Sequence, residues 1–196
     1  MYSRNVQHRL CRALLFLALL LAVPVPWGNG YAAERNVPPP AEYQLKAAFV
    51  YNFIKFVEWP SGTWPTGDTF RVCLLGEVPA AAPFEDLNGQ EILGRRLSVT
   101  ILKSPQEALA CQVLFLASLP PPRLTEVLDT LSGAPVLTIG DTEGYARRGV
   151  MINMFLENKR IRFEINTETA RSAGLRVSTK LLKLASKVYG AAPGGE

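Results

Sequence analysis

Few residues in this chain have the chemistry to act, and their types narrow what it can do. Its 196 residues include one histidine and three cysteines. The histidine, His8, and one cysteine, Cys11, lie in an N-terminal segment with the marks of an export signal. Beyond that segment there is no imidazole. Neither a Ser-His or Cys-His nucleophile pair nor a histidine general base can then be built. Cys73 and Cys111 supply two thiols, too few without histidine to hold a metal. Asp141 and Glu143 follow a strand-like run, at the carboxyl end where open sheets bind ligands. A carboxylate pair can do acid–base work, although two acids in a loop read more plainly as a solvated turn. Arg176, between two helices and amid apolar neighbours, offers a planar fork to a carboxylate or phosphate. A structural ion pair of Arg176 or Arg162, for instance with Glu164, is the plainer reading. Gly140 and Gly149 are isolated turn glycines, not a phosphate loop. These residues assemble no catalytic centre and call for no cofactor.

The N-terminal segment has Arg4, Arg9 and Arg12 with no acid, then the apolar run Ala13–Val23. Pro24 and Pro26 break that run, and small residues follow at Gly30, Ala32 and Ala33. The run is too short to span a bilayer, which takes about 20 apolar residues. Cys11 precedes the run, so it cannot serve as a lipoprotein acceptor. Residues 1–33 therefore read as a cleavable signal peptide, with no membrane span after its removal. Removing it takes the 21 basic residues to 18 against 17 acidic, a net charge of +1. That balance argues against nucleic acid, which calls for a basic patch. Two thiols in an exported chain suggest a disulfide, and the alternative is two buried, reduced cysteines.

These residues need elements to hold them. Residues 34–40, with Pro38, Pro39 and Pro40, form an extended leader, and a domain over 41–190 follows, with a flexible tail at 191–196. A first helix starts near Ala41, and Trp59-Pro60 stops it. Tyr43, Ala47, Val50, Ile54 and Val57 form one apolar face, and Leu45, Phe49, Phe53 and Phe56 a second row beside it. Glu42, Gln44, Lys46, Asn52, Lys55 and Glu58 make up the polar remainder. A stripe this wide implies burial on two sides. Part of the second row, Phe49 and Phe53, with Trp59 at the helix end, is expected to meet a partner or a second copy, since aromatic residues anchor interfaces.

Strand-like Arg71–Gly76, Arg96–Leu102, Gln112–Ala117 and Pro135–Asp141 alternate with helical Val78–Leu87, Gln106–Ala110 and Arg123–Leu131. This order predicts a mostly parallel sheet covered on both faces. Val150–Leu156 is apolar but for Asn153, and Arg160–Asn166 alternates strictly, so the two form an antiparallel hairpin at the sheet edge. Asn166 caps a helix over Thr167–Ala173 that Gly174 ends. Ser178 or Thr179 opens a last helix, with Leu181, Leu182, Leu184 and Val188 packed and Lys180, Lys183 and Lys187 in water. The expected fold is α/β, a single three-layer domain with about five to six strands and helices on both faces.

In order, the pieces Phe56-Val57-Glu58-Trp59-Pro60, Val72-Cys73-Leu74-Leu75-Gly76, Cys111 before its strand, and Pro135-Val136-Leu137-Thr138-Ile139-Gly140-Asp141 resemble the YfiR-like family of exported bacterial regulators. Arg162-Phe163-Glu164-Ile165-Asn166 and Leu181-Leu182-Lys183-Leu184-Ala185 complete the resemblance, over about residues 42–188. It implies a non-catalytic periplasmic protein that binds the sensory part of an inner-membrane diguanylate cyclase, or another membrane sensor, and keeps cyclic di-GMP low. It also implies a Cys73–Cys111 disulfide. A second cysteine pair, present between the positions of Asp141 and Asn153 in some members, is absent here, where the chain reads Thr142-Glu143-Gly144-Tyr145-Ala146-Arg147-Arg148-Gly149. An alternative reading is a ligand-binding sensor module for another receptor or histidine kinase, with a small molecule near Gly76, Asp141 or Arg176. A third is a hydrolase using Asp141 and Glu143.

Overall fold

The computed structural model describes residues 40–63 and 68–190. The expected signal peptide, most of the leader and the tail lie outside the described residues. The apolar runs become the inner strands of one sheet: β2 (Thr69–Leu75), β4 (Arg95–Ile101), β5 (Val113–Leu116), β6 (Leu137–Gly140) and β7 (Ile152–Glu157). They lie parallel in the order β4-β2-β5-β6-β7. The chain goes from β2 out to β4, then crosses back over β2 to β5, so the switch point falls between β2 and β5. Side chains alternate across the sheet. Phe70, Val72 and Leu74 of β2 share one core cluster with Tyr43, Ala47, Val50 and Ile54 of α1 (Pro40–Ile54). Cys73 and Leu75 face the other way, with Leu114, Leu116 and, from α3 (Pro121–Thr130), Leu124 and Val127. Helices therefore cover both faces.

The periphery departs from expectation. The sheet has eight strands rather than five or six, because β3 (Glu91–Ile92) and β10 (Lys187–Tyr189) extend it at either side. The hairpin of β7 with β8 (Arg160–Asn166) is consequently not at the edge. β10 runs parallel to β8 with Lys187 opposite Glu164 and Tyr189 opposite Asn166, and Ser186 N–H donates to the Phe163 carbonyl at 2.8 Å. An unpaired β8 edge is a liability that these few residues cover. They come out of the expected last helix, which is only α5 (Thr179–Leu184). Leu181 of that helix is buried while Leu184 is 67% exposed. The expected helix over Val78–Leu87 shrinks to α2 (Ala82–Glu85), and Pro105–Ala110 is a 3-10 helix with a Ser104–Glu107 capping box. Asn166 does cap α4 (Thr167–Ser172), accepting from Thr169 N–H at 3.0 Å.

The first helix also ends early. After Ile54, Lys55 and Phe56 turn on the Asn52 and Phe53 carbonyls, and Val57–Glu58 becomes β1, antiparallel to β9 (Arg176–Val177). Helical periodicity through Val57 is real, but the Ser178 N–H claims the Phe56 carbonyl at 2.9 Å. Strand pairing with a remote segment wins over the local pattern, three residues before the proline that the sequence reading used as the stop.

Candidate functional site

Asp141, directly after β6, lies where doubly wound sheets hold their ligands. Its carboxylate is already engaged. Lys46 Nζ lies 2.8 Å from Asp141 Oδ2 and 2.8 Å from Glu42 Oε1, and the Tyr43 hydroxyl donates to the same Asp141 oxygen at 2.9 Å. The side chains of Lys46 and Asp141 are 6% and 5% exposed, so this is a buried ion cluster. Lys46 Nζ also sits 4.4 Å from the centre of the Tyr43 ring, a cation–π contact. The cluster pins the start of α1 to the carboxyl end of the sheet. Glu143 is exposed and takes no part.

Burial above all, then the charge of Asp141 and its hydrogen bond, hold the Tyr43 hydroxyl far above the ordinary phenol value of 10.0. The native state therefore keeps a proton that the unfolded chain loses near that value. The stabilisation is complete below it and is lost as pH rises above it. Chemical denaturation at about pH 9 to 11 should show stability falling above ~10, and Tyr43→Phe should flatten that fall. An identical alkaline slope in the variant would refute the linkage.

The other ligand position of such folds is the switch point, and here it is stitched shut. Glu77, after β2, forms an antiparallel bridge with Ser118, after β5. Gly76 (φ +102°) lies so close that a Cβ would stand 3.1 Å from the Ala117 carbonyl oxygen and from a Leu119 methyl. The stretch after β6 is held by hydrogen bonds. Leu119 N–H donates to the Tyr145 hydroxyl at 2.8 Å, and Asn166 Nδ2 donates to the Ala146 carbonyl at 2.9 Å. Gly140 makes room for Tyr145, since a Cβ there would fall 2.7 Å from its ring.

Cys73 and Cys111 are joined, with their Cα atoms 6.1 Å apart. One sits in β2 and the other just before β5, neighbouring strands, and both are buried.

Arg176 is far from Asp141 along the fold: α1 touches Asp141 at its start, and its end runs into β1, the partner of β9. Arg176 pairs with Glu58 at 2.5 Å across β1–β9, not with Glu164, which accepts from the Tyr189 hydroxyl. Both charged groups are exposed, at 81% and 65%. They stand at the rim of a groove of about 550 Å³ between β9, α4 and α5. The expected ligand residues are thus split between a closed cluster and an open groove.

The expected partner residues also divide. Phe53 is 2% exposed and packs edge-on against Phe163 at 4.9 Å, so it belongs to the core. Phe49 is half-buried over Phe53 and Phe163, and Leu45, one turn earlier, is 53% exposed. Trp59 is half-buried, edge-on to Phe70 at 5.6 Å. The row is wide because it wraps onto the hairpin, with only its first turn left in water. Two features escaped the sequence reading. Lys46 was counted among polar positions, though its place three residues after Tyr43 and four before Val50 puts it on the buried face. The groove had no signal, since Thr167, Ala170, Leu175 and Leu182 come from separate short elements.

A family model described as YfiR/HmsC-like matches residues 43–186. Among solved structures, the chain is similar to the ABC domain of Streptococcus pneumonia in complex with L-Trp, at 10% identity and a TM-score of 0.46, covering 70% of this chain and 58% of that one. It is also similar to a conserved domain protein of Vibrio cholerae O1 biovar El Tor strain N16961, at 12% identity and a TM-score of 0.46, covering 76% and 60%. The chain spans about three-fifths of the length of both structures. Among the described residues, no helix is long and apolar enough to cross a membrane.

Proposed function

The chain belongs to the YfiR/HmsC-like family, and from that premise we propose that it is a non-catalytic periplasmic regulator. In this reading it binds the sensory part of an inner-membrane diguanylate cyclase and holds the enzyme inactive, so that cyclic di-GMP stays low. The observation that carries the reading is the family match itself, which runs from α1 through α5. The buried Cys73–Cys111 bond supports an oxidising compartment. The engaged Asp141 carboxylate and the Glu77–Ser118 bridge beside Gly76 support recognition by outer surfaces rather than at the carboxyl end of the sheet.

Deleting the gene in its native cell should raise cyclic di-GMP, and restoring it should reverse the rise. A tagged copy should bring a diguanylate cyclase down from detergent-solubilised inner membrane. Unchanged cyclic di-GMP after deletion, with a different class of membrane sensor in the eluate, would overturn the reading.

A further inference from the structure

A second cleft lies at the opposite end of the sheet from Asp141, and the regulator reading makes no use of it. It holds about 270 Å³ between the end of α3 and α4, with Arg148 of the short 3-10 turn Ala146–Arg148 on its third side. Thr138, near the start of β6, and Met151, just before β7, also line it. The two walls come closest at Gly149 (φ +108°). A Cβ there would touch both, 3.6 Å from a Leu128 methyl of α3 and 3.8 Å from Thr169 Oγ1 of α4.

Polar groups with bonding capacity to spare face this cleft. Thr138 is 2% exposed, and its oxygen accepts from the Met151 N–H at 3.0 Å. Among the described residues its hydroxyl proton has no acceptor, and a buried donor calls for one. The Thr169 N–H is spent on Asn166, whereas its hydroxyl has no partner among the described residues. Arg148 and Glu168 bring opposite charges from different elements. They do not meet each other, and among the described residues neither side chain has an ion pair or a hydrogen bond. Between them lie the apolar Leu128, Leu131, Met151 and Ala173, the last three buried.

We propose that this cleft binds a small zwitterion, a free amino acid with a short apolar side chain. Its carboxylate takes the Arg148 fork and a threonine hydroxyl, its ammonium takes Glu168, and its side chain rests on Leu128, Met151 and Ala173. A lone anion would face Glu168 and a lone cation would face Arg148. A molecule with both charges answers both, with charge-assisted hydrogen bonds at each end. The carboxyl end of α3 opens on the same cleft, and the negative end of a helix dipole favours an ammonium. Small-molecule cavities run from about 300 to 1,000 Å³, so this one takes a ligand at the small end of that range. The assignment stands apart from the regulator reading, because its test reads binding alone.

The oxidised mature chain, labelled with nitrogen-15, is titrated with alanine, valine and leucine and followed by the amide resonances. At least one should bind saturably with a Kd at or below ~1 mM, moving the amides of Gly149 and Thr169. Arg148→Gln and Glu168→Gln should each weaken it about tenfold. Both side chains are exposed and unpaired, so the melting temperature should stay the same. Ser132→Trp fills the cleft from an exposed position and should abolish binding. The carboxylic acid without the amine, and the amine without the carboxylate, should each bind about tenfold more weakly than the amino acid. Equal binding by either analogue overturns the zwitterion as ligand. No saturable binding, shifts confined to the groove at Arg176 and Val177, or full affinity in Ser132→Trp would overturn the site.

Discussion

Replacing Lys46 by methionine is expected to destabilise the fold by ~3–5 kcal/mol, the cost of leaving a buried charge without its partner. Methionine keeps the length of the side chain, so the loss is electrostatic rather than a cavity. Two carboxylates, Asp141 and Glu42, now share the one ammonium at 2.8 Å each. Without it, Asp141, whose side chain is 5% exposed, is left with a buried charge and a second carboxylate nearby. Asp141→Asn should cost less, about 1–3 kcal/mol, because Lys46 retains Glu42 and the Tyr43 hydroxyl retains an oxygen to donate to. The double variant Lys46→Met with Asp141→Asn should be more stable than Lys46→Met alone, since it removes the orphaned charge. Urea denaturation of the three variants gives the coupling directly. Additive losses would mean that the two side chains do not depend on each other.

The inner sheet was legible because its signals are local and redundant. Val72–Leu75 and Val113–Leu116 are apolar on both faces, as strands buried between helices must be. Arg160–Asn166 alternates without a break, and Asn166 caps the next helix from its own position in sequence. Each of these features is decided within a few residues. The edges were not legible for the converse reason. β1, β9 and β10 are two or three residues long, and each exists only because a distant segment offers a ladder. Lys187, Val188 and Tyr189 continue the spacing of α5 well enough to pass as helix. Only the need of β8 for a covered edge assigns them to a strand.

The same division explains the site. Asp141 was visible from its place after a strand, but its partners lie on a helix nearly a hundred residues away in the chain, and no spacing rule connects them. A lysine between Tyr43 and Ala47 on the apolar face was the available sign that something negative had to be buried with it. The aromatic row suggested an interface, yet Phe53 faces Phe163 of the hairpin. A helix lying across a curved sheet buries more of its circumference than a flat face would require. The β1–β9 pair depends on register, which follows from which carbonyl Ser178 finds.

The second large effect concerns the bond between Cys73 and Cys111. It closes a loop of 38 residues that contains α2, β3, β4 and the 3-10 helix at Pro105–Ala110. In the chain-entropy model such a closure contributes roughly 4 kcal/mol, a large share of the roughly 5–15 kcal/mol that holds a domain together. Changing both cysteines to serine should therefore lower the melting temperature by about 8–16 °C for a chain of this size. Both sulfurs are buried, Cys73 at 2% and Cys111 at 4% exposure, so dithiothreitol should reduce the native protein slowly and the unfolded protein at once. Reduction should then track global unfolding, which a mass-spectrometric time course with thiol alkylation can follow at several urea concentrations. β2 is an inner strand of the sheet, between β4 and β5, and its residues contribute to both core clusters, so loss of the bond loosens a strand on which both rest. A melting temperature unaffected by reduction would show that the bond adds nothing to the native state, and that the strands alone hold the two segments together.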